Sequence, residues 1–340
     1  MQYVIVNPYE HPDNDYIHLQ IEAIKKAGYE PVPQDGNIIK SKYILYNWME
    51  NVDGNHKPVV IGKKIARLLQ LKLLGKKIIW VMHNKHPHED SYKYGLFMMK
   101  VMAHMSDKIM VLCDETIPAL MKITKSKKVF DKIFKVPLIS YESIVGQTSE
   151  APVGGKLNVL LFGQIKPYKG VEVLLEAMKD EYLQNNTTIT IVGRCSDPKY
   201  LNEINEKIGK LHNVSFQNRF IELSELKEIA KEIHLFVLPM NIKSSLNSSA
   251  AMMAFSLKRT VVCPNIGTIK EYPDQDYIYT YDYQNAKEHV DRIKKALRTA
   301  IDDMKKEPEI MRKKGNKAFK MAHKYNSLDT VAKAMKEMLE

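Results

Sequence analysis

The sequence predicts an α/β protein made of two tandem, doubly wound domains. Three observations carry this. Short runs rich in Val, Ile and Leu alternate with longer stretches whose apolar residues recur at helical spacing, as in parallel strands joined by crossover helices. The alternation stops at a stretch dense in Gly, Pro, Ser and Thr, SIVGQTSEAPVGGK at 143–156, and then starts afresh. The chain of 340 residues is long enough for two separate cores.

In order, YVIV (3–6) reads as a strand and DYIHLQIEAIKKAGYE as a helix with a Gly near its end. SKYILYNW (41–48) is the next strand, PVVIGKKIARLLQLKLLGKK a helix, and IIWVMHN (78–84) a buried strand ending in polar residues. The helix SYKYGLFMMKVMAHMSDK, the strand IMVLCDE and the short helix ETIPALMKI complete the first half. After the break come the strand LNVLLFG (157–163), the helix GVEVLLEAMKDEY, the strand TTITIVG (187–193) and the helix PKYLNEINEKIGKL. NVSFQNRF, LSELKEIAKEI, HLFVLP, a Ser- and Asn-rich segment and TVVCP follow, before a helical, Lys-rich C-terminal stretch. The domains are therefore expected at 1–150 and 151–340. Sheets of this kind bind ligands beyond the C-terminal ends of their strands, and two facing domains leave a cleft.

The formal net charge of +11 favours anionic partners: nucleic acid, an anionic membrane surface or phosphorylated small molecules. No nucleic-acid motif appears and the basic residues are spread over both halves, which disfavours nucleic acid. No apolar run approaches the roughly 20 residues of a membrane span. The start, MQYVIVNPYEHPDNDY, lacks the basic end and long apolar core of a signal peptide and reads as a first strand. Cys113, Cys195 and Cys263 show no metal spacing and no even disulfide set, so they read as buried free thiols in a reducing cytoplasm. GKKIARLLQLKLLGKK (62–77) interleaves cations with Leu and Ile. It reads either as a core-facing helix with solvated lysines or as a surface that docks on anionic lipid, at the inner face of the plasma membrane.

The second half carries phosphate chemistry. LLFGQIKPYKGVEVLLEAM is a strand, a Gly, a loop with two lysines and a helix start. Gly163 permits close backbone approach, Lys166 and Lys169 suit a diphosphate, and Gly170 begins a helix with positive potential at its N-terminus. The competing reading is a solvated basic loop. Farther on, NIKSSLNSSAAMMAFSLKRTVV (241–262) sets four Ser and two Asn within nine residues at a helix start, more than one cap needs.

These segments resemble the GT-B glycosyltransferases, especially the glycosyltransferase 4 type. FGQIKPYKGVEVLLEAM is similar to their "GR…KG…LL.A" segment, TITIVG with Gly193 to the next strand, and NRFIELSELKEIAKEIHLFVLPM to the loop, helix and strand before the sugar-binding helix. AFSLKRTVVCPNIGTIKEY is similar to "A…G.PVI…G…E", so the likeness runs in order over 157–275. IIWVMHNKHPHE resembles a "W..HN..PHE" variant of some bacterial members. The resemblance implies two Rossmann-like domains, acceptor-binding then donor-binding. It implies that Asn247, Ser248 and Ser249 grip a nucleotide diphosphate and that Ser244 and Ser245 reach the donor sugar. Gly163, Gln164, Lys166, Lys169 and Gly193 would complete the donor site, with no cofactor and no bound metal. An elaborate helix cap is the competing reading of the Ser-rich run.

Two departures bear on mechanism. Retaining members place two glutamates eight positions apart, and those positions fall here at Ser245 and Met253. The arginine of "GR" is replaced by Gln164. This implies inversion, a different donor contact, or no catalysis. Inversion needs a base near the acceptor hydroxyl. HNKHPHED offers His83, His86, His88, Glu89 and Asp90; its histidine spacing fits a metal poorly. Glu89 and Asp90 also suit a helix cap. NPYEHPDNDY offers His11, Asp13 and Asp15. Asp13 is favoured as base and His83 for a donor or acceptor contact.

The expected function is hexosyl transfer from a UDP- or GDP-sugar to a glycan or lipid-linked saccharide, in cell-surface polysaccharide synthesis. The alternatives are a non-catalytic nucleotide-sugar- or glycan-binding protein of the same fold and a nucleotide-sugar epimerase.

Overall fold

The computed structural model describes residues 2–11, 14–34, 38–87 and 92–340. Among them the strands form two six-stranded, wholly parallel sheets. The first contains β1 (Gln2–Asn7), β2 (Tyr29–Val32), β3 (Ser41–Asn47), β4 (Lys77–Met82), β5 (Lys108–Val111) and β6 (Ile133–Lys135), in the order β2-β1-β3-β4-β5-β6. The second contains β7 (Leu157–Phe162), β8 (Thr187–Val192), β9 (Val214–Gln217), β10 (Leu235–Val237), β11 (Thr260–Pro264) and β12 (Tyr279–Tyr281), in the order β12-β11-β10-β7-β8-β9. The expected tandem doubly wound α/β architecture is the one found.

Central strands are apolar on both faces because helices cover both. In β4 every residue but Lys77 is buried. Ile5, Ile44, Trp80 and Ile109 pack with Leu68 and Leu71 from the helix Lys57–Leu73 and with Met99 and Met102 from the helix Tyr92–Met105. In the second sheet Val159, Leu161, Ile189 and Val237 pack with Leu174 of the helix Val171–Ala177 and with Ile293 and Leu297 of the helix Ala286–Lys306.

β2, β6 and β12 were not anticipated from the sequence. All three are short edge strands. An edge strand needs no continuous apolar run, and β2 tolerates Pro31 for the same reason. The strand expected at 41–48 stops at Asn47, because Trp48 leaves it at a φ of 53°. Cys113, Cys195 and Cys263 are all buried free thiols.

The chain divides into two compact units, Met1–Ile139 with Asn326–Glu340, and Ser140–Tyr325. This differs from a division into 1–150 and 151–340 in two places. Residues 140–150 join the second unit, where the buried Arg259 donates to the carbonyl oxygens of Ser149 and Glu150 at 2.8 and 3.2 Å. The last helix, Leu328–Leu339, joins the first unit. It buries Val331, Ala332, Met335 and Met338 and packs along the helix Asp15–Lys26. Asn326 Nδ2 donates to Leu138 O at 2.7 Å, and Lys26 pairs with Asp329 at 2.5 Å.

Candidate functional site

Each sheet has one topological switch point; among the described residues Gly163, Gln164, Lys166 and Lys169 follow the C-terminal end of β7, Ser245, Asn247, Ser248 and Ser249 come after β10, and His83 follows β4. In the second unit the winding reverses between β7 and β10. Gly163 leaves β7 at a φ of 113°, and the space a side chain would take there is open. Its carbonyl is covered by Gly193, where a Cβ would lie 1.9 Å from Gly163 O. Ile165 is buried, and its amide donates to Arg194 O at 2.9 Å, which fixes the loop beside the end of β8. Gln164 is exposed.

The turn Pro167–Lys169 then brings the chain to Gly170 at a φ of 69°. A Cβ on Gly170 would lie 1.9 Å from Pro239 O, so the loop after β7 is pressed on the loop after β10. Asn241 N donates to Tyr168 O at 2.9 Å across the same seam. The Lys169 ammonium lies over the Tyr168 ring at 5.4 Å. Among the described residues, Lys166, Lys169 and the exposed Arg194 have no carboxylate partner. Three unneutralised cations on two adjoining loops favour an anion. Arg194 was missed in the sequence, although VGR after a strand was its signal.

The Ser-rich run resolves residue by residue. Asn241 organises the turn: its Oδ1 accepts from Lys243 N at 2.9 Å and its carbonyl accepts from Ser245 N at 2.9 Å. The Tyr283 hydroxyl bridges the loop, donating to Met240 O at 3.1 Å and accepting from Ile242 N at 3.0 Å. Asn247 Oδ1 accepts from the Thr268 hydroxyl at 2.8 Å. Ser248 is the N-cap of the helix Ser249–Ser256, its Oγ accepting from Ala251 N at 3.2 Å. Part of the run is therefore a cap and a tied turn. Ser249 is exposed at the helix start, and its amide and that of Ala250 meet no acceptor among the described residues. Ser245 and Met253 are both buried, and neither side chain ionises. A depression lined by Lys156, Thr187, His212 and Asn213 lies at the opposite, N-terminal edge of the sheet, away from these loops.

In the first unit the winding reverses between β1 and β3. Asn47 ends β3, and its Oδ1 accepts from His83 Nε2 at 2.8 Å, while its Nδ2 donates to Gln20 Oε1 at 2.8 Å. Gln20 Nε2 donates in turn to the Tyr16 hydroxyl at 3.0 Å. The chain of donors assigns the His83 proton to Nε2 and its lone pair to Nδ1. Burial pushes His83 down to about 3, so the imidazole is neutral. Its ring stacks on Trp48, with centroids 4.6 Å apart, and meets the edge of Tyr16 at 5.3 Å. The exposed His11 lies 5.8 Å from Trp48. Asp13, His88, Glu89 and Asp90 lie outside the described residues. His86 is partly exposed and its pKa is lowered, first by burial and then by Lys122 and Lys85. Asp15 is exposed in the first turn of its helix. Among the described residues no three His, Cys, Asp or Glu side chains converge as a metal site would need.

Comparison with known proteins bears on these two sites. Residues 156–299 match the family described as Glycosyl transferases group 1. Two curated relatives, both GDP-mannose:glycolipid 4-beta-D-mannosyltransferases of Xanthomonas campestris pv. campestris, are 26% identical over 218 residues and 27% over 197. Those alignments cover 63% and 58% of this chain, but only 58% and 52% of the relatives, so the chain spans a little over half their length. In fold it is similar to Anabaena HepE in complex with UDP and glucose, with a TM-score of 0.72 at 11% identity over 100% of this chain and 99% of that one. It is also similar to a glycosyltransferase from Rickettsia africae, with a TM-score of 0.64 at 15% identity over 100% and 98%. Among the described residues no helix is long and apolar enough to cross a membrane.

Proposed function

We propose that the chain is a GT-B glycosyltransferase that moves a hexosyl group from a nucleoside diphosphate sugar to a glycan or lipid-linked saccharide, with inversion and without a metal ion. The observation that carries this reading is the switch point at the ends of β7 and β10, where Lys166, Lys169 and Arg194, without a carboxylate partner among the described residues, stand on loops joined to the one after β10. There the diphosphate takes the lysines, the arginine and the amides of Ser249 and Ala250, with Gly163 and Gly193 keeping the backbone close. Gln164, Ser245, Asn247 and Ser248 line the donor. The relatives' names support a GDP-sugar as donor and a glycolipid as acceptor. Their β product from a donor whose mannose is α-linked supports inversion.

Inversion is one displacement. The acceptor oxygen forms a bond to the anomeric carbon as the bond to the diphosphate oxygen breaks, and the hydroxyl proton passes to a base. The leaving charge is stabilised by the cations of the second unit. His83, with a pKa of about 3, is too weak a base for this and is assigned a donor or acceptor contact as a neutral ring. Asp13 is assigned the base.

A glycolipid acceptor suits cell-surface polysaccharide assembly and a cytoplasmic protein bound peripherally to the inner face of the plasma membrane. The helix Lys57–Leu73 supports this. Leu69, Leu73 and Leu74 are exposed, Leu73 by 89%, and no Asp or Glu occurs from Gly54 to Pro87. Such a face fits the anionic lipid interface.

A second reading, nucleotide-sugar binding without catalysis, is favoured by the non-ionising pair Ser245 and Met253. Thermal-shift screening against UDP- and GDP-sugars, followed by proton NMR of the product, separates the two. A stabilising donor and a β-linked product from an α-linked donor are expected. An α product overturns inversion, and binding with no product on any acceptor favours the second reading.

A further inference from the structure

Among the described residues three non-glycine positions have positive φ: Trp48 at 53°, Lys125 at 53° and Lys258 at 55°. Lys125 is the C-cap of the helix Thr116–Thr124, and Lys258 follows the C-cap Leu257 of the helix Ser249–Ser256. A left-handed residue is ordinary at such places. Trp48 follows a strand, and a bulky side chain there stores backbone strain.

Strain of this kind persists only when the surroundings hold it, and they do. Asn51 N donates to Trp48 O at 3.0 Å and closes the turn. Lys64 reaches under it, donating to Met49 O at 2.9 Å and Asn51 O at 2.5 Å. Inside the turn, Glu50 Oε2 accepts from the buried Trp80 indole at 3.0 Å. On the other flank Asn47 is tied to Gln20 and His83. The product is an indole that stays partly exposed at the β1/β3 switch point, backed by a neutral imidazole on one face. Trp80, by contrast, is fully buried.

A fixed, partly exposed indole backed by a ring presents a flat apolar surface, here with the exposed His11 at its margin. A pyranose matches it, with its axial C–H face against the indole and its hydroxyls at the rim. We propose that Trp48 is the platform on which a pyranose ring of the acceptor stacks. The proposal rests on the glycosyltransferase reading and gives its acceptor side a residue.

The test uses saturation-transfer difference NMR with three probes: methyl β-D-glucopyranoside, methyl α-D-mannopyranoside and cellobiose. The variants are Trp48→Gly, which accepts a φ of 53° without strain, and Trp48→Phe. At least one probe is expected to receive saturation on its ring C–H protons with the native protein. The signal should fall about five- to tenfold in Trp48→Gly and be largely kept in Trp48→Phe. Calorimetric affinity for UDP and GDP should not change between native protein and variants. No transfer to any probe, or equal transfer in Trp48→Gly, overturns the platform. Loss of nucleotide affinity together with the saccharide signal overturns it too, since the indole would then serve the nucleotide or the fold. Nucleotide binding absent from the native protein counts against the glycosyltransferase reading, whereas the saccharide signal alone decides the platform.

Discussion

The ring of Tyr283 lies flat on the imidazole of His289, with centroids 3.7 Å apart and planes 7° from parallel. The imidazole also meets the Tyr281 hydroxyl at 3.1 Å, through Nε2. Since Tyr283 bridges Met240 and Ile242, the loop after β10 leans on a buried histidine of the helix Ala286–Lys306. Burial pushes that histidine down to about 4. An unfolded histidine titrates near 6.5, so between about 6.5 and 4 the unfolded chain takes a proton that the native ring refuses. Stability is therefore full above that window and falls with pH through it, by roughly 3 kcal/mol for His289 alone. His83 acts in the same direction. Urea midpoints between pH 7.5 and pH 4 should decline, and His289→Phe should make the decline shallower. An unchanged slope in that variant removes His289 from the account.

Lys169→Ala should weaken nucleotide-sugar binding by roughly 1.5–3 kcal/mol, because a charge-assisted contact to the diphosphate is lost. Arg194→Ala should act in the same direction. Among the described residues neither cation pairs with a carboxylate, so the unfolding midpoint without ligand should hardly move. Isothermal calorimetry checks both, and unaltered affinity takes the residue out of the site.

Arg259 is fully buried and its guanidinium donates to the carbonyl oxygens of Ala230, Ile233, Leu257, Ser149 and Glu150. Burial lowers it to about 10, which leaves it charged at neutral pH. Arg259→Met strands those carbonyls and should cost about 3–5 kcal/mol. Arg259→Lys should recover only part, because one ammonium cannot serve acceptors spread around a planar fork. Chemical denaturation of the two variants measures this, and a loss near zero would contradict it.

Changing Leu69, Leu73 and Leu74 together to Ser should weaken binding to phosphatidylglycerol vesicles at least roughly tenfold, given the apolar area each side chain buries in the interface. Raising the salt should weaken the native protein's binding as well. Sedimentation with vesicles is the measurement. Equal binding by the triple variant would place any lipid contact elsewhere.

What could be read in advance followed the range of the interactions. Central strands such as β4 and β7 announce themselves because both faces are covered, whereas β2, β6 and β12 lie at edges and carry no continuous apolar signal. Gly163, Lys166 and Lys169 stood out because strand, turn and helix start follow one another locally. Arg194, Tyr283 and Trp48 did not, since each takes its place through tertiary neighbours: Ile165, Met240 and His83. The Ser-rich run was visible as a helix start, but the share of it absorbed by capping and turn bonds depends on Ala251, Asn241 and Thr268.

The helix Leu328–Leu339 completes the first unit although the whole second unit, Ser140–Tyr325, comes before it in the sequence. During synthesis the ribosome releases the residues of β1 to β6 first, yet the helix Asp15–Lys26 keeps an uncovered apolar face until residue 339 emerges. The second unit, contiguous from Ser140 to Tyr325, can close before that. Assembly thus runs against the order of translation: the half begun before the other is finished after it.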